Sequence, residues 1–121
     1  DMMYLLGEIS ACSVGTCLDT GHAHLSGDLG SVIHKLSGHL KMVHINDNHG
    51  DWDAHLPPGE GSIDWPHVIR ELRRHHFHGT LVLELHGGRD EDIEVMLARA
   101  VRAREFLQHL CGVDSSGLTS A

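Results

Sequence analysis

The chain has 121 residues, 40% hydrophobic and 21% charged, with 17 acidic side chains against 9 Lys and Arg and a net charge of −8. That composition fits one soluble globular domain, and its acidic balance argues against a nucleic-acid partner, because neutralised phosphates supply most non-specific affinity there. No stretch reaches the ~18 apolar residues of a membrane span and no signal-peptide pattern is present, while three cysteines without CxxC spacing predict a reducing, cytoplasmic setting.

At residues 1–11, Met2, Leu5, Leu6 and Ile9 stand at helical spacing and predict the tail of a helix. Ser13 to Leu18 reads as a first strand, followed by a loop from Gly21 to Gly27. Asp28 is placed to cap a helix whose apolar face is Leu29, Val32, Ile33 and Leu36, with Gly38 ending it. Leu40 to Ile45 is the second strand, and a long polar loop runs from Asn46 to Asp64. Asp64 caps the next helix, with Pro66 in its first turn, where a missing N–H costs nothing, and Trp65, Val68, Ile69 and Leu72 as its buried stripe. Gly79 closes that helix, Thr80 to Leu85 is the third strand, and Gly87-Gly88 turns the chain. Asp90 or Glu91 begins a last helix with Ile93, Met96, Leu97, Ala100, Val101 and Leu107 expected on its inward face; from Gly112 the chain reads as a frayed tail.

Near-continuous apolar strands alternating with amphipathic helices predict an α/β fold, a parallel sheet with helices outside. A complete (β/α)8 barrel takes ~250 residues. Residues 1–111 therefore read as a partial TIM-barrel domain and 112–121 as a disordered tail. Three strands cannot close, so the outer two stay bare unless the missing part of a barrel or a second chain covers them.

The carboxyl ends of parallel strands are where such folds place their chemistry, and all three strands here deliver metal-type ligands at that end. The first runs into Asp19 and His22, the second into His44 and then Asp53 and His55, the third into Glu84. Val43 and Ile45 flank His44 and point the other way on a strand. Asp53 and His55, two apart, face one side if locally extended. Glu84, ending an apolar strand, needs a partner cation if buried. Each residue alone has a bland explanation: a turn cap, a core histidine, a solvated loop. Imidazole and carboxylate without thiolate point to Zn²⁺, Mn²⁺ or a similar divalent ion; Cys17, two residues before its strand's exit, is expected in core packing. Gly59 and Gly61 permit a close approach of backbone amides to a phosphate, although a tight structural turn is the favoured reading. Of the other histidines, His24, His49 and His86 lie where a substrate passes, whereas His34, His39, His67, His75, His76 and His109 read as helix surface or helix ends.

Cys17-Leu18-Asp19-Thr20-Gly21-His22-Ala23, His44-Ile45-Asn46-Asp47-Asn48, Asp53-Ala54-His55 with Gly59-Glu60-Gly61, and Leu83-Glu84-Leu85 together resemble the xylose isomerase-like TIM barrel superfamily, which includes sugar phosphate isomerases and epimerases and AP endonuclease family 2. The resemblance spans about residues 13–86 and implies the last three strands of the barrel. It implies a sugar or sugar-phosphate isomerase or epimerase working through a metal-stabilised enediolate, with a carbohydrate as partner and a divalent ion (Mn, Zn, Mg or Co) as cofactor. Asp19, His44 and Glu84 correspond to three of the four epimerase ligands, the fourth being a glutamate of an earlier strand. Glu84 doubles as an acid/base carboxylate and His22 orients a substrate hydroxyl. In the endonuclease branch a three-zinc cluster would add His22, Asp53 and His55, and an inactive metal-binding fragment is the third expectation.

Overall fold

The computed structural model describes residues 3–4 and 14–112. Met3 and Tyr4 are helical; Met2, Leu5, Leu6 and Ile9 of the expected first helix, Ser13 of the first strand and the tail beyond Gly112 lie outside the described residues. The elements run β1 (Thr16–Asp19), α1 (Thr20–Ser26), α2 (Leu29–Leu36), β2 (Leu40–Ile45), α3 (Trp65–Arg74), β3 (Thr80–Leu83) and α4 (Ile93–Leu110). The strands form one parallel sheet in the order β1-β2-β3. No helix among the described residues is long and apolar enough to cross a membrane.

Aspartates start the helices α1 to α4. Asp19, Asp28, Asp64 and Asp92 each accept a backbone N–H of the first turn, which satisfies one of the amides a helix leaves without a partner. α3 begins at the expected place, with Pro66 in its first turn and Trp65, Val68, Ile69 and Leu72 buried. α1 is a correction: residues 21–27 were expected as loop, yet Asp19 caps Thr20–Ser26 into two turns of helix. Gly21 marks close packing there rather than a turn, since a Cβ on it would lie 1.9 Å from Asn46 Oδ1.

One face of the sheet carries the core, where Val43 and Ile45 of β2 meet Ile33, Trp65 and Val68 at near-zero exposure. The other face is open. Cys17 was expected in core packing but is exposed, and Met42 on the neighbouring strand is 37% exposed. The reason is the shared face: Cys17 and Met42 are register partners on β1 and β2 and project from the side of the sheet opposite the core, on which no helix lies among the described residues. α4 corrects a second expectation. Its buried residues are Ala103 and Leu107, while Ile93, Leu97 and Val101 are exposed, because the helix docks through its C-terminal half and its N-terminal half overhangs the sheet. β3 is shorter than expected at its exit, but Glu84 N still donates to Ile45 O at 3.0 Å, which holds Glu84 in line with the strand.

Candidate metal centre

Strand register sets the first ligand group. Asp19 pairs with His44 across β1 and β2, and His44 pairs with Val82 across β2 and β3, which leaves Glu84 on the same face two residues on. Ligand atoms of Asp19, His44 and Glu84 all lie within 4.8 Å of one another. His44 Nδ1 is 2.7 Å from Glu84 Oε2. Asp19 is held from two sides: Oδ1 accepts the His22 N–H at 2.9 Å as the cap of α1, and Asn46 Nδ2 donates to both of its oxygens. Thr20 locks that corner by accepting from Asn46 N and donating to Asn46 O.

The second group is His22, Asp53 and His55. Asp53 Oδ2 sits 2.9 Å from His22 Nε2 and 3.1 Å from His55 Nε2. Asp53 and His55 do not converge through an extended segment, as the two-residue spacing would have it. His55 has φ +48°, and the turn is held by His86, whose N–H donates to His55 O at 3.2 Å and whose ring stacks on His55 with centroids 4.2 Å apart. The hydrogen bond to Asp53 and then the charge of Asp19 raise the pKa of His22. Burial pushes Asp53 up, but the bonds from His22 and His55 outweigh it and hold the carboxyl below its ordinary range.

The donor chemistry fits divalent ions. Each group offers imidazole nitrogen and carboxylate oxygen without thiolate, the set that Zn²⁺, Mn²⁺ and similar ions accept. Asp19, Glu84 and Asp53 have histidine as their only ion-pair partner among the described residues, so clustered negative charge there is left without Lys or Arg to balance it. Asp53 Oδ1 and His55 Nδ1 are buried without a hydrogen-bond partner, and such atoms call for an explanation in a folded protein.

Asp47, two residues beyond β2, has a role the sequence reading missed. It is fully buried, and five N–H groups reach its carboxylate: Asn48 N and Ile63 N at Oδ1, Gly59 N, Gly61 N and Trp65 Nε1 at Oδ2. A bridge between Asp47 and Leu56 pins the loop from the other side. His24 is likewise bonded to this loop, through Ser62 Oγ at 2.8 Å.

Residues 1–110 match the profile of the xylose isomerase-like TIM barrel family. The chain belongs to that family. A D-tagatose 3-epimerase-like protein of known structure superposes with a TM-score of 0.68 at 28% identity, over 87% of this chain and 39% of that one. The D-psicose 3-epimerase of Clostridium cellulolyticum H10, solved with D-tagatose, has a TM-score of 0.75 at 19% identity, over 88% of this chain and 41% of that one, a likeness of fold alone. An inosose dehydratase of Bacillus velezensis is 29% identical over 107 residues, 74% of this chain and 35% of its own. The chain thus spans between about a quarter and two fifths of the length of the relatives it matches. The parallel sheet described above is therefore part of a TIM barrel, and its open face, with Cys17 and Met42, is the side that such a barrel turns inward.

Proposed function

We propose that the barrel containing this chain is a divalent-metal-dependent sugar isomerase or epimerase, and that residues 1–111 supply Asp19, His44 and Glu84 to its metal site. One observation carries the reading: three side chains from three parallel strands converge at the carboxyl end of the sheet, with ligand atoms within 4.8 Å. The names of two relatives, a D-tagatose 3-epimerase-like protein and an inosose dehydratase, both refer to polyhydroxylated carbonyl compounds, whose C–H bonds beside the carbonyl are the acidic ones. The fourth ligand, a glutamate by the resemblance, belongs to a strand outside this chain.

A divalent ion, when bound, supplies Lewis-acid polarisation of the substrate carbonyl. Glu84 holds one oxygen 2.7 Å from His44 Nδ1, which fixes the carboxylate and leaves its other oxygen available to take the proton from the adjacent carbon. The electron pair of that C–H bond would form the enediolate double bond as the carbonyl π pair moves onto its oxygen. A second acid/base carboxylate, outside this chain, would return a proton to the opposite face to give the epimer. His22, exposed at the rim, can orient a substrate hydroxyl. Free thiols at Cys17 and Cys111 favour a reducing, cytoplasmic setting. The open sheet face implies the rest of the barrel, or a second copy, as the protein partner.

A second reading rests on its own observation. His22, Asp53 and His55 could hold further ions, as in a zinc phosphodiesterase of the AP endonuclease type. The net charge of −8 weighs against a nucleic-acid substrate. The discriminating experiment uses the full-length protein with Mn²⁺ or Zn²⁺, assayed on ketoses and on abasic-site duplex. Glu84→Gln is expected to lower ketose epimerisation by at least ~10²-fold while thermal unfolding stays unchanged. Retention of full activity in that variant removes Glu84 from the mechanism. Chelator-sensitive cleavage of abasic DNA without ketose turnover moves the assignment to the phosphodiesterase. Metal binding by calorimetry with neither activity leaves the inactive metal-binding fragment.

A further inference from the structure

TIM-barrel enzymes that bind phosphorylated substrates commonly use loops after the last two strands, where backbone N–H groups and a helix N-terminus cradle the phosphate. In this chain those loops follow β2 and β3, and the glycines that suit such a cradle are present in both: Gly59 and Gly61 in the first, Gly87 and Gly88 in the second. Three of these four amides, those of Gly59, Gly61 and Gly88, already have anionic partners. Gly59 N and Gly61 N donate to Asp47 Oδ2 at 3.0 and 3.1 Å, and Gly88 N donates to Glu91 Oε2 at 3.0 Å. Asp47 cannot step aside, because Ile63 N and Trp65 Nε1 bond to it as well and a Cβ on Gly61 would fall 2.2 Å from its Oδ1.

The cations are engaged in the same way. Arg99 of α4 reaches across both loops, with Nη1 3.0 Å from Glu91 and Nη2 3.2 Å from Glu60. Two carboxylates on one guanidinium leave a net negative cluster where a phosphate would need a positive one. Arg89, the other arginine of the β3–α4 loop, is followed directly by Asp90, Glu91 and Asp92. At the helix starts, the Asp64 side chain takes the His67 amide of α3 and the Asp92 side chain takes the Glu94 amide of α4, so each places a negative charge where an anion would approach.

We infer that the substrate is an unphosphorylated polyhydroxylated carbonyl compound, because the amides of Gly59, Gly61 and Gly88 and the guanidinium of Arg99, which could cradle a phosphate at the last two strands, are held by this chain's own carboxylates. This rests on the proposed sugar chemistry and narrows it to free sugars or cyclitols. Hydroxyl groups can donate to the carboxylates that hold these amides and Arg99, whereas a phosphate dianion meets like charge there.

The test compares kcat/KM of the full-length, metal-loaded protein on a free ketohexose and on its phosphate ester. Alongside it, inorganic phosphate is titrated while the amide NMR signals of Gly59, Gly61 and Gly88 are followed. The free sugar is expected to be preferred by about 100-fold or more, since juxtaposed like charges cost several kcal/mol, and the three glycine signals stay in place. Glu91→Gln, which weakens the hold on Gly88 N and Arg99, is expected to narrow the preference. A preference for the phosphate ester, or glycine signals that shift with phosphate, overturns the inference. If neither sugar is turned over while the signals stay fixed, the sugar chemistry fails and the closed cradle stands.

Discussion

Asp47 and Glu84 both follow the end of a strand at the carboxyl edge of the sheet, and the two carboxylates have opposite surroundings. Asp47 is 0% exposed and receives five N–H groups; Glu84 is 42% exposed and has one histidine beside it. A buried charge persists only when its lone pairs are filled, so Asp47 is a structural anion that fixes the loop from Asn48 to Trp65. Glu84 and its neighbour Asp19 keep oxygen atoms available and share no Lys or Arg. Saturation, rather than residue type or position, separates the carboxylate that builds the loop from those that can bind an ion.

The largest effect should come from emptying the saturated site. Asp47→Ala leaves several buried N–H groups without an acceptor and is expected to cost at least about 4 kcal/mol, at the upper end of single substitutions. Urea unfolding of the full-length protein measures it, and a loss under ~1 kcal/mol would mean that water replaces the carboxylate and the loop does not depend on it. The unsaturated site should respond to the opposite operation, addition. Mn²⁺ or Zn²⁺ at about 100 times its dissociation constant stabilises the native state by about 2.7 kcal/mol. Asp19→Asn is expected to remove most of that gain while keeping the α1 cap, because Asn caps as well as Asp. An equal gain in the variant would place the ion elsewhere.

A single donor sharpens the comparison further. Trp65 Nε1 lies 2.7 Å from Asp47 Oδ2 in the core. Trp65→Phe keeps most of the ring and removes that bond, an expected loss of about 2–3 kcal/mol. Metal affinity, read by calorimetry, should stay within a factor of ~3 of wild type if loop and metal site are energetically separate.

Much of this architecture is legible in the sequence, for identifiable reasons. β2 has the expected bounds because Leu40 to Ile45 has its apolar residues directed at covered core, and α3 starts as expected because Asp64, Pro66 and Trp65 each favour a helix start. Asp19, His44 and Glu84 stand, with His22, Asp53 and His55, among the candidates because strand ends are readable, and the resemblance to the family is what groups Asp19, His44 and Glu84 as one ligand set. α1 was missed because Gly21 and Gly27 outweighed the Asp19 cap, although the same Asp-cap rule correctly placed α2. The role of Asp47 has no local signal: its donors lie up to 18 residues away and four of the five are backbone amides, identical at every non-proline residue. Cys17, Ile93 and Leu97 were misjudged for another reason. Periodicity identifies an apolar position but not which layer of the fold covers it.

The smallest expected effect concerns an aspartate that caps without being buried. Asp28 accepts from Ser31 Oγ at 2.6 Å and from Gly30 N at 3.0 Å, bonds much like those at Asp47 but in full contact with water. The Ser31 bonds lead in holding its carboxyl below the ordinary 3.8, with Gly30 contributing. A folded-state pKa below the unfolded value means that stabilisation is complete above the unfolded value and declines as pH falls through the folded one. The difference in melting temperature between wild type and Asp28→Asn should therefore be constant near neutral pH and should drift in favour of the variant only below about 3.8. A drift that begins near pH 6 would have to come from histidines instead, and His67 faces Asp28 closely enough to add its charge. Solvent screening keeps this contribution small. The contrast with Asp47 then sets donors from two residues at an exposed carboxylate against donors from five at a buried one, and burial together with that saturation separates a minor cap from the centre of the loop.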